Sequence, residues 1–96
     1  MDYKKQVSAF ADRAEALIGK LTLATKSEVI YKDVVQLTEE MHQAIVGCSD
    51  EMFNATLYNA AATIRTAPEK CPVAQLREAL EDAVSEMRMM MEYFED

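Results

Sequence analysis

The sequence predicts an all-α protein, an antiparallel three- to four-helix bundle that associates with itself. Half of the 96 residues are hydrophobic, but only two are glycine and two are proline, which is too few for a fold of many short strands and turns. Apolar residues also recur every three or four positions along most of the chain, a pattern that indicates amphipathic helices. A chain of this length fits a single domain, residues 1–96.

The first helix is predicted from about residue 2 to residue 21. Its apolar residues are spaced alternately by four and three positions, which is the heptad seam of packed helices. Ala11 and Ile18 widen this seam into the broader stripe of a bundle helix. Residues 22–27 are predicted to connect this helix to the second one. The seam consists of Tyr3, Val7, Phe10, Ala14, Leu17 and Leu21.

The second helix is predicted to begin near Ser27. Thr25 and Ser27 are both candidate caps, and Glu28, three residues after Thr25, completes a capping-box pattern. Gly47 follows the last apolar position, where a left-handed residue commonly ends a helix. The apolar stripe between these ends is Ile30, Val34, Leu37, Met41 and Ile45.

A tight corner is predicted at residues 47–49. Ser49 is a favourable N-cap, and Asp50 and Glu51 then fall in the first turn of the third helix, where the helix dipole favours negative charge. A connection this short makes the second and third helices antiparallel neighbours.

Residues 52–64 form most of the third helix, and none of them is charged, although 28% of the chain is. So little charge predicts a helix that is covered on more than one side, either at the centre of the bundle or at a subunit interface. Asn54, Tyr58 and Asn59 are open to two interpretations, a buried polar lock or a thin exposed edge. The predicted core positions are Phe53, Leu57, Ala60, Ala61 and Ile64.

Residues 67–72 contain both prolines and separate the third helix from the fourth, with Pro72 predicted at the first helical position. The predicted core stripe of the fourth helix is Leu76, Leu80, Val84, Met87, Met91 and Phe94. Its last turns hold more apolar side chains than one stripe needs, and methionine recurs on adaptable binding surfaces. We therefore predict a partner or subunit interface formed by Met87, Met89, Met90, Tyr93 and Phe94.

The two cysteines, Cys48 and Cys71, lie beyond opposite ends of the third helix. They are predicted to be free thiols, because a disulfide needs Cα atoms within about 7 Å of each other. Both approach a helix N-terminus, where a thiolate is favoured. We expect no catalysis from either thiol, since the sequence supplies no nearby histidine as a base.

Glu39 and His42 form a Glu-x-x-His motif, in which both side chains project to the same side of a helix and can reach one metal ion. A di-metal site needs two such motifs, and the chain has one histidine, so this site requires a symmetric dimer, with Glu15 or Glu81 as further ligands. The simpler interpretation places the pair at the rim of the helix seam, and we assign no metal and no cofactor. Phosphotransfer by His42 is disfavoured because residues 43–47 contain no lysine.

The net charge of −7, from 17 acidic and 10 basic residues, disfavours direct binding to nucleic acid or to an anionic membrane surface. No apolar run approaches the ~20 residues that span a bilayer, and the N-terminus lacks a signal-peptide pattern, so a cytoplasmic location is expected. The sequence contains no Gly-rich phosphate loop, Cys-x-x-Cys pair or nucleophile elbow, and no enzymatic activity is predicted.

The favoured hypothesis is a small acidic cytosolic module for protein–protein interaction or regulation, such as an inhibitor, that acts through helix faces. Its partner is a protein whose identity the sequence does not reveal, and a homo-oligomer, most simply a homodimer, is expected. The alternative hypothesis is a metal-binding helical bundle whose Glu-x-x-His site is assembled across a homodimer. The two hypotheses differ in the metal content of protein purified without chelators.

Overall fold

A computed structural model describes residues 2–23 and 26–94. These residues form four α-helices and contain no strand, which confirms the predicted all-α helical bundle. None of the described helices has the combination of length and hydrophobicity that crossing a membrane requires. In chain order the helices are α1 (Tyr3–Leu23), α2 (Glu28–Ile45), α3 (Glu51–Arg65) and α4 (Val73–Met91).

The helices pack in a ring in which each contacts the next along the chain and α4 returns to contact α1. The α1–α4 and α3–α4 seams are the most extensive, whereas α2 and α4 share no contact within the described residues. Ion pairs mark the antiparallel course of α1 and α2. Arg13 pairs with Glu40, and Lys20, seven residues further along α1, pairs with Asp33, seven residues back along α2.

The predicted apolar stripes point into a common core. All five predicted core positions of α3 are fully buried, because residues three and four apart share one side of a helix. Where α1 meets α4, alanines are buried on both helices, Ala11 and Ala14 on one and Ala79 and Ala83 on the other. Small side chains let helix axes approach closely.

The corner between α2 and α3 follows the prediction except for the residue that caps α3. Gly47 ends α2 with a φ of 75°, a left-handed conformation that glycine adopts without a steric penalty. The predicted cap, Ser49, is wrong by one residue. Asp50 has an extended backbone, and its carboxylate accepts a hydrogen bond from the Phe53 backbone N–H at 2.8 Å, as an N-cap does.

The starts of α2 and α4 also differ in detail from the prediction. Ser27 precedes α2, but its hydroxyl donates to the carbonyl oxygens of Cys71 at 2.6 Å and Glu69 at 3.1 Å rather than capping the helix. It therefore ties the start of α2 to the loop before α4. Pro72 immediately precedes α4 instead of forming its first residue. Thr25, the other predicted cap, lies outside the described residues.

Candidate interaction surface

The five residues predicted as an interface divide between the core and the surface. Met87 and Phe94 are buried. Met87 lies on the inward stripe of α4, and Phe94 packs against the core after the helix has ended, so neither residue belongs to the exposed surface. Met89 and Tyr93 are 59% and 67% exposed, and Met90 is half-buried. Tyr93 follows the end of α4 at Met91, so the helix itself presents the two methionines.

The outward side of α3 is uncharged between the two ends of the helix. Its exposed residues there are Ala55, Tyr58, Asn59 and Ala62, which recur every three or four positions and so share one face. Tyr58 is 60% exposed. The helix is covered on two sides, by α2 and by α4, and this third face remains in contact with solvent.

A groove of about 420 Å³ runs between α3 and α4. Ala55, Thr56, Asn59, Ala62 and Thr63 line it on α3, and Glu86, Met89 and Met90 line it on α4. Glu86 is the one charged residue of this lining, and its carboxylate accepts a hydrogen bond from the Thr63 hydroxyl at 3.0 Å. The exposed methionines are therefore continuous with the uncharged face of α3. We define the α3–α4 surface as Ala55, Tyr58, Asn59, Ala62, Met89 and Met90.

A second depression, of about 350 Å³, lies on the other side of the α3 face, against α2. His42, Tyr58 and Arg65 border it, and the ring centroids of His42 and Tyr58 are 6.3 Å apart. Arg65 is anchored because its Nε donates to Oγ1 of the buried Thr38 at 3.1 Å. Tyr58 thus borders a depression that also contains a guanidinium and an imidazole, and Ala62 lines both this depression and the groove between α3 and α4.

Asn54, Tyr58 and Asn59, the polar residues discussed above for α3, differ in burial and in hydrogen bonding. Asn54 donates through Nδ2 to the Cys48 carbonyl oxygen at 2.8 Å and so fastens the α2–α3 corner. Its Oδ1 is buried and has no hydrogen-bond partner among the described residues. Tyr58 and Asn59 are exposed. Asn54 therefore fits the interpretation as a buried polar residue, whereas Tyr58 and Asn59 fit the interpretation as an exposed edge.

The structure does not bring Glu39 and His42 to a common site. Glu39 borders a depression that includes Lys32, whereas His42 lies beside Tyr58 of α3. Glu15, proposed as a further ligand, is held in an ion pair with α4. Across residues 2–23 and 26–94, no group of three or more histidine, cysteine, aspartate or glutamate side chains could hold a metal ion. A metal site assembled across a dimer stays a prediction.

Both cysteines are free, as predicted. Cys71 is buried and Cys48 is half-buried. The Cys48 thiol and the Tyr3 hydroxyl share a hydrogen bond with a sulfur–oxygen distance of 3.7 Å. This hydrogen bond, together with the loss of solvent around the ring, raises the pKa of Tyr3 above its ordinary value of 10.0. The thiol therefore helps to seat the start of α1 on the α2–α3 corner.

Charged pairs fasten both sides of α1. Arg88 on α4 donates to Asp12 at 2.8 Å and to Glu15 at 2.6 Å, and these hydrogen bonds raise the pKa of Arg88. Arg13 donates to both carboxylate oxygens of Glu40, at 2.9 and 2.7 Å. Its hydrogen bonds are the main reason that the pKa of Glu40 lies below its ordinary value of 4.5. Charge around α1 is thus used to join helices of one chain.

No protein-family model, curated protein or solved structure matches this chain. The candidate surface is therefore defined by the burial, packing and charge of its own residues.

Proposed function

We propose that this protein is a small acidic interaction module that binds another protein through the α3–α4 surface and performs no chemistry of its own. The observation that carries the proposal is the uncharged outward face of α3, which continues into the exposed Met89 of α4. A contiguous exposed apolar patch of this kind usually marks a site of protein–protein interaction.

The residue types on this surface favour a protein partner. Met89 and Met90 are flexible and polarizable, so they adapt to apolar side chains of different shapes. Tyr58 combines an apolar ring with a polar tip, a combination that is enriched in interfaces. Ala55 and Ala62 leave room for a partner helix to approach. The net charge of −7 disfavours nucleic acid as the alternative partner, because phosphate contacts need clustered lysine and arginine.

The proposal extends to regulation and to location. A module of this size can regulate a larger protein by covering one of its faces, as an inhibitor does. Two free cysteines support a reducing compartment such as the cytoplasm, where thiols are kept reduced.

A charge placed on the α3–α4 surface tests the proposal. Ala62→Glu introduces a carboxylate at an exposed position of this surface, and Ala16→Glu makes the same change at an exposed position of α1. Immobilised wild-type protein and the Ala16→Glu control are expected to retain the same proteins from a cell extract. Ala62→Glu is expected to reduce that retention by about tenfold or more, since burial of an unpaired charge opposes binding.

Circular dichroism of the two variants checks that both remain helical. Equal retention by all three proteins, or a wild type that retains neither the free chain itself nor any other protein, contradicts the proposed function.

A further inference from the structure

We infer that the occupant of the α3–α4 surface is a second copy of this chain, with the two α3 helices packed antiparallel about a two-fold axis near Tyr58. The inference rests on the proposed function and names the partner. The charge pattern of α3, the spacing of its exposed residues and the area of the surface support it.

The charged residues of α3 stand at its two ends and have opposite signs. Glu51 is exposed in the first turn and Arg65 is exposed in the last, and no residue between them is charged. Tyr58 lies seven residues from each. Because seven residues make nearly two helical turns, the three form one row along the outward face.

This row is self-complementary when two copies of α3 run in opposite directions. With a two-fold axis at Tyr58, Glu51 of one copy faces Arg65 of the second copy at each end of the contact. The depression that Arg65 shares with His42 borders the same end of the helix and can receive the Glu51 carboxylate. Opposite charges that meet in this way fix the register of an interface.

A second row of α3 residues is centred between Tyr58 and Asn59, half a residue from the centre of the first row. Ala55 and Ala62 are also seven residues apart and exposed, on the side of α3 that borders the groove with α4. In the antiparallel pair, Ala55 of one copy lies opposite Ala62 of the second. Methyl groups at these positions allow the helix axes to approach to about 8 Å.

A parallel pair of α3 helices does not suit this pattern. It would place Glu51 against Glu51 at one end and Arg65 against Arg65 at the other. Juxtaposed like charges oppose association. The charge pattern therefore selects the antiparallel arrangement.

The net charge of −7 also limits where a second copy can approach, because like-charged proteins repel each other. The exposed side of α4 carries Glu78, Glu81 and Asp82. The exposed side of α1 carries charges that already pair with α2 and α4. Between Glu51 and Arg65, α3 exposes no charged side chain, so a second copy that approaches this part of the helix meets no like charge of α3 there.

The size of the surface predicts a weak dimer. The 15 residues of α3 span about 22 Å at 1.5 Å per residue. A strip of this length along one helix, with the side chains that border it, lies at the low end of the areas of specific interfaces. We therefore expect a dissociation constant of about 100 µM, between the micromolar and millimolar orders.

Sedimentation equilibrium of the purified chain tests the inference. Wild-type protein and the Ala16→Glu control are expected to form dimers as concentration rises, and Ala62→Glu is expected to weaken dimerisation by about tenfold or more. A wild-type monomer at every concentration, or a dimer that Ala62→Glu leaves unchanged, overturns the inference. If the chain is monomeric but Ala62→Glu still abolishes retention of other proteins, the inference fails and the proposed function stands.

Cysteine cross-linking tests the antiparallel register. Ala55→Cys and Ala62→Cys are made separately in a Cys48→Ser background, which removes the half-buried thiol, and are oxidised alone and as a mixture. A disulfide needs Cα atoms within about 7 Å, so antiparallel packing predicts covalent dimers in the mixture and few in either protein alone. Covalent dimers formed by each protein alone, or none in the mixture, overturn the antiparallel arrangement.

Discussion

The outward faces of α1 and α3 differ in how they use charge. On α1, the exposed Asp12, Arg13 and Glu15 all pair with residues of neighbouring helices. On α3, the exposed residues between the ends are uncharged. Both helices bury an inner apolar stripe, so the difference does not arise from the core. The charges of α1 join this helix to α2 and α4 of the same chain. The exposed face of α3 makes no such charged pairs, which is why we propose it as the site of contact with another molecule.

The largest expected change in the free energy of unfolding comes from the inner side of α3, and the adjacent outer side is expected to differ sharply from it. Leu57 is fully buried, and Leu57→Ala is expected to lower the free energy of unfolding by about 2–5 kcal/mol, because it leaves a cavity. Tyr58→Ala, at the adjacent exposed position, is expected to change it by less than about 0.5 kcal/mol while weakening dimerisation. Urea unfolding of dilute protein measures both values. A loss at Tyr58 as large as that at Leu57 would show that Tyr58 belongs to the core.

A smaller effect is expected at the α1–α4 seam. Arg88→Met keeps much of the aliphatic stem but removes the ion pairs with Asp12 and Glu15. The Arg88 side chain is more than a third exposed, so we expect a loss of about 1 kcal/mol in the free energy of unfolding. The loss is expected to shrink in about 1 M salt, which screens surface charges.

Urea unfolding at low and high salt measures this loss. Lys20→Met is the control, because the Lys20–Asp33 pair is long, at 3.9 Å, and exposed. Equal losses for the two variants would contradict the role assigned to Arg88.

The smallest change in stability is expected when the Arg13–Glu40 ion pair between α1 and α2 is removed, and the size of this change depends on pH. The pKa of Glu40 is lowered in the folded state, so the folded protein binds this proton less tightly than the unfolded chain does. The stability that the Arg13–Glu40 pair adds is therefore present above the ordinary pKa of 4.5 and is lost as pH falls through the lowered value. The wild type is expected to exceed Glu40→Gln in stability at neutral pH, and the gap is expected to narrow in acid.

Thermal unfolding midpoints of both proteins between about pH 7 and about pH 3 measure this gap. A gap that stays constant over the whole range would contradict the assignment of the pKa shift to the folded state.

The helices and most of the core were predictable from the spacing of apolar residues, because the side of a helix that faces the core repeats with the helical period. All of the α3 core positions and the left-handed Gly47 are examples. The residue that caps α3 could not be predicted, because Ser49 and Asp50 are both favourable caps and the backbone conformation selects between them. Ser27 stands at the predicted N-cap position of α2, but its hydroxyl does not cap the helix because it bonds to a loop more than 40 residues away.

The candidate surface was predictable only in part. An excess of apolar residues in α4 indicated an interface, but the burial of Phe94 depends on how the chain turns back to the core after the helix ends. The groove between α3 and α4, and the pairing of Arg88 with Glu15 and Asp12, 73 and 76 positions away, depend on how the helices are placed. Helical periodicity reports which face is inside and not which helix lies opposite it.

The most direct test of a second copy at the α3–α4 surface is methyl NMR of methionine during dilution from about 1 mM to about 10 µM, a range that brackets the weak affinity expected. Met87 and Met89 lie two residues apart on α4, one buried and one exposed. We predict that the Met89 resonance shifts with concentration in the wild type and in Ala16→Glu, while that of Met87 stays constant. In Ala62→Glu the shift of Met89 is expected to disappear. A Met89 resonance that is identical at every concentration would contradict the claim that a second copy covers this surface.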